Sequence, residues 1–184
     1  MIVLASASPR RKELLSLISN DFEVKPSDAD ETLPNGISPK DAVEKLSFIK
    51  ADYINDGKSI IIGADTVVCI DNKILGKPKD ENDALKMLKA LSGKWHSVFT
   101  GVTIIQGDTV KTFSVESKVL FYDLTDNEII NYIAHGEPMD KAGAYGIQGK
   151  GSLFVKEING DYFNIVGLPI GKLNRELMNF DLTK

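Results

Sequence analysis

The sequence predicts an α/β protein. Three observations carry that reading: strand-like apolar runs alternate with helix-like segments, helix-start signatures recur between the runs, and no repeat, low-complexity tract or long linker interrupts the alternation. The 184 residues are 42% hydrophobic, enough for a single domain over 1–184 with a full core, or for two closely packed lobes.

Ile2 to Ala5 reads as a short apolar strand. Ser8 then caps a helix with Pro9 at its first position, and Leu14, Leu15 and Ile18 form the buried side. After an acidic stretch containing Asp28, Asp30 and Glu31, Ser38-Pro39-Lys40-Asp41 repeats the helix start, and that helix runs to about Asn55. Ser59 to Asp71 is a strongly apolar strand, followed by a turn at Asp71-Asn72 and a short strand leading to Gly76-Lys77-Pro78. Asp80 with Asp83 opens a helix whose Leu85, Leu88 and Leu91 face inward and which stops at Gly93. Strands at Ser97 to Gln106 and Thr109 to Tyr122 are joined at Gly107-Asp108, and the second alternates at Phe113, Val115, Val119 and Phe121. Thr125 with Glu128 forms a capping box for a helix carrying Ile129, Ile130 and Ile133. A long glycine-rich loop occupies His135 to Gly151. Ser152 to Ile158 and Asp161 to Val166 then suggest a hairpin across Asn159-Gly160, and Pro169 starts a final helix.

Composition narrows the chemistry. No apolar run approaches the ~20 residues of a membrane span, and the opening Met1-Ile2-Val3-Leu4 turns polar too soon for a signal-peptide core, so a cytoplasmic chain without a membrane partner is expected. A net charge of -4 argues against a general nucleic-acid binder, although a local basic cluster is compatible with it. The single cysteine, Cys69, lies in an apolar run and reads as core, which leaves no intramolecular disulfide and no thiolate metal cluster. Neither His96 nor His135 sits in a nucleophile or metal-ligand pattern. Carboxylates, lysines and arginines remain, and a carboxylate-rich site favours hard cations such as Mg²⁺ or Mn²⁺.

Residues that conflict with their local setting are the candidates for function. Arg10-Arg11-Lys12 puts three bases in the first turn of a helix, where the dipole disfavours each by about 0.3–1 kcal/mol. Together with the free N–H groups of that turn they form either an anion site suited to a phosphate chain or a solvated basic patch. Asp65 lies mid-strand among apolar neighbours, so it is either a partly desolvated carboxylate that needs a cation, or the cap of a turn where the strand breaks at Gly63. Lys50 shares the helical stripe of Val43, Leu46 and Ile54, so its ammonium either snorkels to water, the simpler reading of the helix alone, or reaches a cleft. The loop from Glu137 to Gly151 has four glycines with Asp140, Lys141 and Gln148 as polar handles, but not the spacing of a Walker A loop. Phosphate chemistry accounts for these features jointly.

Five motifs in order carry a family resemblance: Ala5-Ser6-Ala7-Ser8-Pro9-Arg10-Arg11; Gly63-Ala64-Asp65-Thr66-Val67-Val68; Gly76-Lys77-Pro78; Glu137-Pro138 with Asp140-Lys141-Ala142-Gly143-Ala144-Tyr145-Gly146-Ile147-Gln148-Gly149; and Val166-Gly167-Leu168-Pro169. Over nearly the whole chain they resemble the Maf (septum formation inhibitor) family of nucleotide pyrophosphatases. The resemblance implies a mixed twisted sheet with flanking helices, two lobes around a deep cleft, and a fold similar to inosine triphosphate pyrophosphatases. It also implies cleavage between the α and β phosphates with a divalent cation, and a homodimer. Asp65 matches the general base. Arg10, Thr66 and Gln148 match positions tied to substrate choice, and Ser6, Ser8, Arg11, Lys50 and Lys77 match phosphate and cleft positions. Asp65 and Glu31 are the implied metal ligands. The segment Ala144-Tyr145-Gly146-Ile147-Gln148-Gly149 resembles the branch acting on dTTP and UTP and differs from the methylated-GTP branch.

The expected reaction is therefore metal-assisted, in-line attack of water on a pyrimidine nucleoside triphosphate, releasing pyrophosphate in a house-cleaning role linked to cell-division arrest. Two alternatives stay open. One is a non-catalytic nucleotide-binding regulator of septum formation, which would need the phosphate cradle but no base. The other is purine house-cleaning of the inosine triphosphate type, which shares the fold but not the motifs.

Overall fold

Four expected helix starts are helix starts in the computed structural model, which describes residues 1–180. Ser8 caps α1 (Pro9–Leu15), Ser38 caps α2 (Pro39–Tyr53), and Asp80 caps α3 (Glu81–Leu91) with its side chain 2.8 Å from the Asp83 N–H. Thr125 and Glu128 make both bonds of the capping box on α4 (Asp126–Ala134). Ile129 and Ile133 are buried there, whereas Ile130 is exposed, because adjacent positions on a helix diverge by about 100°.

Among the described residues seven strands form one mixed sheet: β1 (Ile2–Leu4), β2 (Phe22–Val24), β3 (Ile60–Ile70), β4 (Lys73–Leu75), β5 (Trp95–Gln106), β6 (Thr109–Phe121) and β7 (Val155–Asn159). Their order is β2-β1-β3-β5-β6-β7, with β4 folded back on β3. β1 runs parallel to both β2 and β3, while the pairs from β3 to β7 are antiparallel. β2 was not legible in the sequence: it has only three residues, sits at the sheet edge and buries none of them.

The segment from 152 to 166 is not a hairpin. Residues 149–154 form a 3₁₀ turn, β7 alone continues the sheet, and Tyr162–Val166 is a short helix, α5. Asp161 decides this by accepting the Phe163 N–H at 2.8 Å as an N-cap. Asn164, Ile165 and Val166 are all buried, a consecutive run that a one-sided strand cannot bury. The last helix, α6 (Ile170–Leu177), follows Pro169 as expected.

Helices cover both faces of the sheet. The large core joins β-strand side chains such as Leu4, Ile62, Val98 and Phe121 to Leu15 of α1, Leu88 of α3, Ile129 of α4 and Leu173 of α6. The opposite face carries α2 over a smaller cluster of Val3, Ala5, Ala51, Ile61 and Ile105. α2 rests on the sheet at two glycines. A Cβ on Gly63 would strike the Ser47 carbonyl and Ala51, and one on Gly101 would strike the Val43 carbonyl, so bare backbone is required at both points. Cys69 is core, as its apolar run implied.

His96 belongs to the core too, with its Nε2 2.8 Å from the Tyr145 hydroxyl and its ring edge-on to Phe121. Burial holds its pKa down at about 4 from an ordinary 6.5. Above pH 6.5 the imidazole is neutral in folded and unfolded chains alike; as pH falls from there toward 4, only the unfolded chain takes up the proton. Stability present above 6.5 is therefore lost on acidification, by on the order of 3 kcal/mol.

Two predictions follow from this packing. Gly101→Ala should cost about 1–3 kcal/mol, read as a lowered thermal midpoint, whereas Gly171→Ala, which meets open space, should stay within about 0.5 kcal/mol of wild type. His96→Gln, which keeps an acceptor for Tyr145, should flatten the fall in stability between pH 6.5 and 4; denaturant midpoints at both pH values, with equal slopes in the two proteins, would reject the buried neutral imidazole.

Candidate active site

The site lies at a gap in the sheet. Along one edge of β3, β1 pairs only as far as Ile62 and β4 pairs only from Val68 onward, while β5 covers the other edge without a break. The free edge between them is Gly63-Ala64-Asp65-Thr66-Val67. β3 is continuous here, so Asp65 sits within the strand and does not cap a turn. A cavity of about 360 Å³ opens over this gap.

Five basic side chains line it, Arg10, Arg11, Lys50, Lys77 and Lys141, against three acidic ones, Glu31, Asp65 and Asp140. A chain of net charge -4 thus holds a cavity with an excess of positive charge, which suits an anionic ligand. Val68, Val98, Ile165, Val166 and Ile147 supply an apolar wall beside these groups. The basic turn after β1 and Asp65 share this cavity.

Arg11 is largely committed to the protein. Its Nε donates to the Gly167 carbonyl at 2.9 Å, Nη1 to the Ala64 carbonyl at 2.8 Å and to Ser6 Oγ at 3.2 Å, and Nη2 to Thr66 Oγ1 at 3.1 Å. Four of the five N–H groups of a guanidinium are used, which leaves one for the cavity. The Ala64 carbonyl it caps belongs to the free edge of β3. Burial lowers the Arg11 pKa and the nearby Asp65 charge opposes that shift, but a guanidinium stays protonated. Among the described residues Arg10 makes no such bonds and remains available, while Lys12 is exposed and outside the cavity lining.

Lys50 does not snorkel. Its Nζ meets Asp65 Oδ1 at 2.5 Å and Glu31 Oε2 at 3.2 Å, with the Lys50 and Asp65 side chains only 13% and 14% exposed. Two carboxylates therefore converge on one cation site from β3 and from the acidic stretch before α2. Among the described residues no cluster of three or more metal-type side chains exists. Two carboxylates without an all-protein cage match a Mg²⁺-like ion, which takes one or two carboxylates and completes its shell with substrate phosphate and water.

The glycine-rich loop is three 3₁₀ turns, Glu137–Asp140, Ala142–Ala144 and Gly149–Phe154, rather than open coil. Glu137 staples it: its carboxylate accepts the Tyr132 hydroxyl at 3.1 Å and the N–H groups of Lys150 and Gly151 at 3.0 and 3.2 Å. Gly143, at a φ of 68°, packs so closely on Val68 that no side chain fits. At the cavity rim burial works against the Asp140 carboxylate, but Lys141 and the charge of Arg10 outweigh it and hold its pKa below the ordinary value.

The structure brings Ser8, Arg10, Arg11, Glu31, Lys50, Asp65, Thr66 and Lys77 to one cavity. Ser6 lies beneath it, buried against Arg11. Gln148 is exposed and lies outside the lining, though its neighbour Ile147 is part of it. Sequence reasoning missed the Glu137 staple and the buried polar pair Thr100 and Asn164 behind Thr66; only the unusual polarity of Thr100 and Thr103 within an apolar strand hinted at the latter.

The chain matches the family described as Maf-like protein over residues 1–180 and belongs to it. The dTTP/UTP pyrophosphatase of Bacillus cereus strain B4264 is 51% identical over 183 residues, covering 98% of this chain and 96% of that one. The dTTP/UTP pyrophosphatase of Bacillus mycoides strain KBAB4 is 51% identical over 182 residues, covering 98% and 95%. Among solved structures, the Staphylococcus aureus Ham1 protein shares the fold with a TM-score of 0.59 at 16% identity, covering 98% of this chain and 99% of that one.

The staple makes a prediction of its own. Glu137→Gln puts an amide where two backbone N–H groups need an acceptor, so the 141–151 loop should be cleaved faster by limited proteolysis while the thermal midpoint of the whole chain moves little; equal cleavage rates would show that the carboxylate does not hold the loop.

Proposed function

We propose that this protein hydrolyses dTTP and UTP to the nucleoside monophosphate and pyrophosphate. Membership of the Maf family and relatives of that printed activity at 51% identity over nearly the full length support the reading. The single observation that carries it is the Asp65 carboxylate at the free edge of β3, inside a cavity where basic groups outnumber acidic ones.

In this reading Arg10, Lys77 and the remaining N–H of Arg11 receive the phosphate oxygens, with the Ser8 hydroxyl and the start of α1 beside them. Water attacks the α phosphorus, a new P–O bond forms there, the bond from the α phosphorus to the α–β bridging oxygen breaks so that pyrophosphate leaves, and the Asp65 carboxylate takes the proton of the water. Lys50 orients that carboxylate through their ion pair, and negative charge gathering on the phosphoryl oxygens is met by the surrounding cations. Asp65 and Glu31 are the residues that would hold a Mg²⁺ or Mn²⁺ ion with the phosphates, and such an ion supplies charge neutralisation and a lowered pKa for bound water. Gln148, outside the cavity lining, would reach a base only if the loop closes over the nucleotide. A homodimer acting in the cytoplasm completes the proposal.

Asp65→Asn should retain the fold yet lose about 10²–10⁴-fold in turnover. The assay is pyrophosphate release from UTP, dTTP, ITP and methylated GTP, with Mg²⁺, with Mn²⁺ and with chelator. Turnover near wild type in Asp65→Asn would remove the base assignment, and UTP binding without any pyrophosphate release by the wild type would leave the nucleotide-sensing alternative.

A further inference from the structure

Thr66 hangs at the end of a buried hydrogen-bond chain whose proton count is fixed. Thr100 lies directly opposite Thr66 across β3 and β5, is fully buried, and has its Oγ1 2.9 Å from Thr66 Oγ1 and 2.8 Å from the Asn164 carbonyl oxygen. Two oxygens at hydrogen-bond separation need a proton between them, and a carbonyl has none. The single hydroxyl proton of Thr100 therefore goes to Asn164. That acceptor cannot turn away, since it is a backbone carbonyl of α5 that also takes the Gly167 N–H at 3.1 Å. The proton in the Thr66 to Thr100 contact must then come from Thr66. The Arg11 Nη2 donor occupies one lone pair of Thr66 Oγ1 at 3.1 Å. One lone pair is left, and it is what Thr66 offers to the cavity it lines.

An oxygen that can only accept is wrong for phosphate, whose oxygens are acceptors themselves, and right for an N–H or O–H donor. We infer that Thr66 meets the nucleobase as an obligate acceptor, fixed in that role by Thr100, and selects the imide N3–H that uracil and thymine share and cytosine lacks. This rests on the proposed function. It also accounts for one pocket serving both dTTP and UTP, since the bases differ at C5 and the sugars at the 2′ position but the imide donor is common to both. Thr100 touches no ligand and is a positioning residue.

The test is the ratio of kcat/KM for UTP to that for CTP. Thr100→Val is nearly isosteric and removes the acceptor of the Thr66 proton, which frees that hydroxyl to donate to the N3 lone pair of cytosine. The ratio should fall about tenfold in Thr100→Val and stay within about twofold of wild type in Thr100→Ser, which restores the hydroxyl. A folded Thr100→Val with an unchanged ratio overturns the inference, and so does an equal loss on UTP and CTP, the result expected if Thr66 faced the sugar. Should Thr100→Val not fold, 3-methyluridine triphosphate, which has no N3–H, decides the matter on the wild type. It should compete against UTP at least about tenfold more weakly than UTP itself, and equal competition overturns the inference. Failure of the wild type to release pyrophosphate from UTP or dTTP fells the proposed function itself, and that result appears before any variant is compared.

Discussion

The close seating of α2 on the sheet is the constraint from which the site follows. Gly63 and Gly101 let helix backbone press against strand backbone, and the face that touches them carries Val43, Ser47 and Ala51 at helical spacing. Lys50 stands one position before Ala51, so its stem starts at the edge of that contact and its ammonium arrives at Asp65 on the strand below. With side chains in place of the glycines, α2 would ride higher by the thickness of a methyl group, and a 2.5 Å ion pair would open. Packing and electrostatics are here one arrangement: the glycines have no catalytic chemistry, yet they set the distance on which the carboxylate's charge partner depends.

The gap in the sheet does comparable work for the backbone. An uncovered strand edge exposes unpaired N–H and C=O groups, and a protein normally covers them. Here Arg11 satisfies the Ala64 carbonyl and reaches on to Gly167 and Ser6, tying three separate segments together around the opening. Using a guanidinium for this purpose explains why a basic residue stands in the first turn of α1 against the helix dipole. Arg10, beside it and without these bonds, is left to face an incoming anion. Two adjacent arginines of the same motif thus divide into a brace and an open cation, a division invisible in the sequence because it depends on which side chain meets the free carbonyl.

Much of the architecture was legible because the helix caps are local. Ser8-Pro9, Ser38-Pro39, Asp80 with Asp83, and Thr125 with Glu128 each satisfy helix N–H groups within four residues, so the pattern and the structure obey the same rule. Where tertiary contacts decide, the sequence misled. Tyr162–Val166 is rich in aromatic and β-branched residues, as a strand would be, yet the Asp161 cap and the buried Asn164 amide make it a helix. Lys50 looked like a snorkelling lysine because no helical wheel shows a carboxylate fifteen positions away on another element. Asp65 was half readable: a charge among apolar residues called for a partner, but the turn-cap alternative fell only with the continuous strand and the Lys50 contact.

Burial of so many polar groups around one opening has a price in stability that the network offsets only as a unit. Asp65, Lys50, Arg11, Thr66, Thr100 and Asn164 each have a bonded partner, and removing one strands another in a poorly solvated place. Replacing several together by apolar residues would give a firmer protein without chemistry. Retaining them keeps each hydroxyl and ammonium in a single orientation before a ligand arrives, so binding does not have to order them. Among the described residues of this network the Asn164 Oδ1 atom is buried without a hydrogen-bond partner, while the Nδ2 of the same side chain makes two bonds and the separate backbone carbonyl of Asn164 accepts the Thr100 hydroxyl.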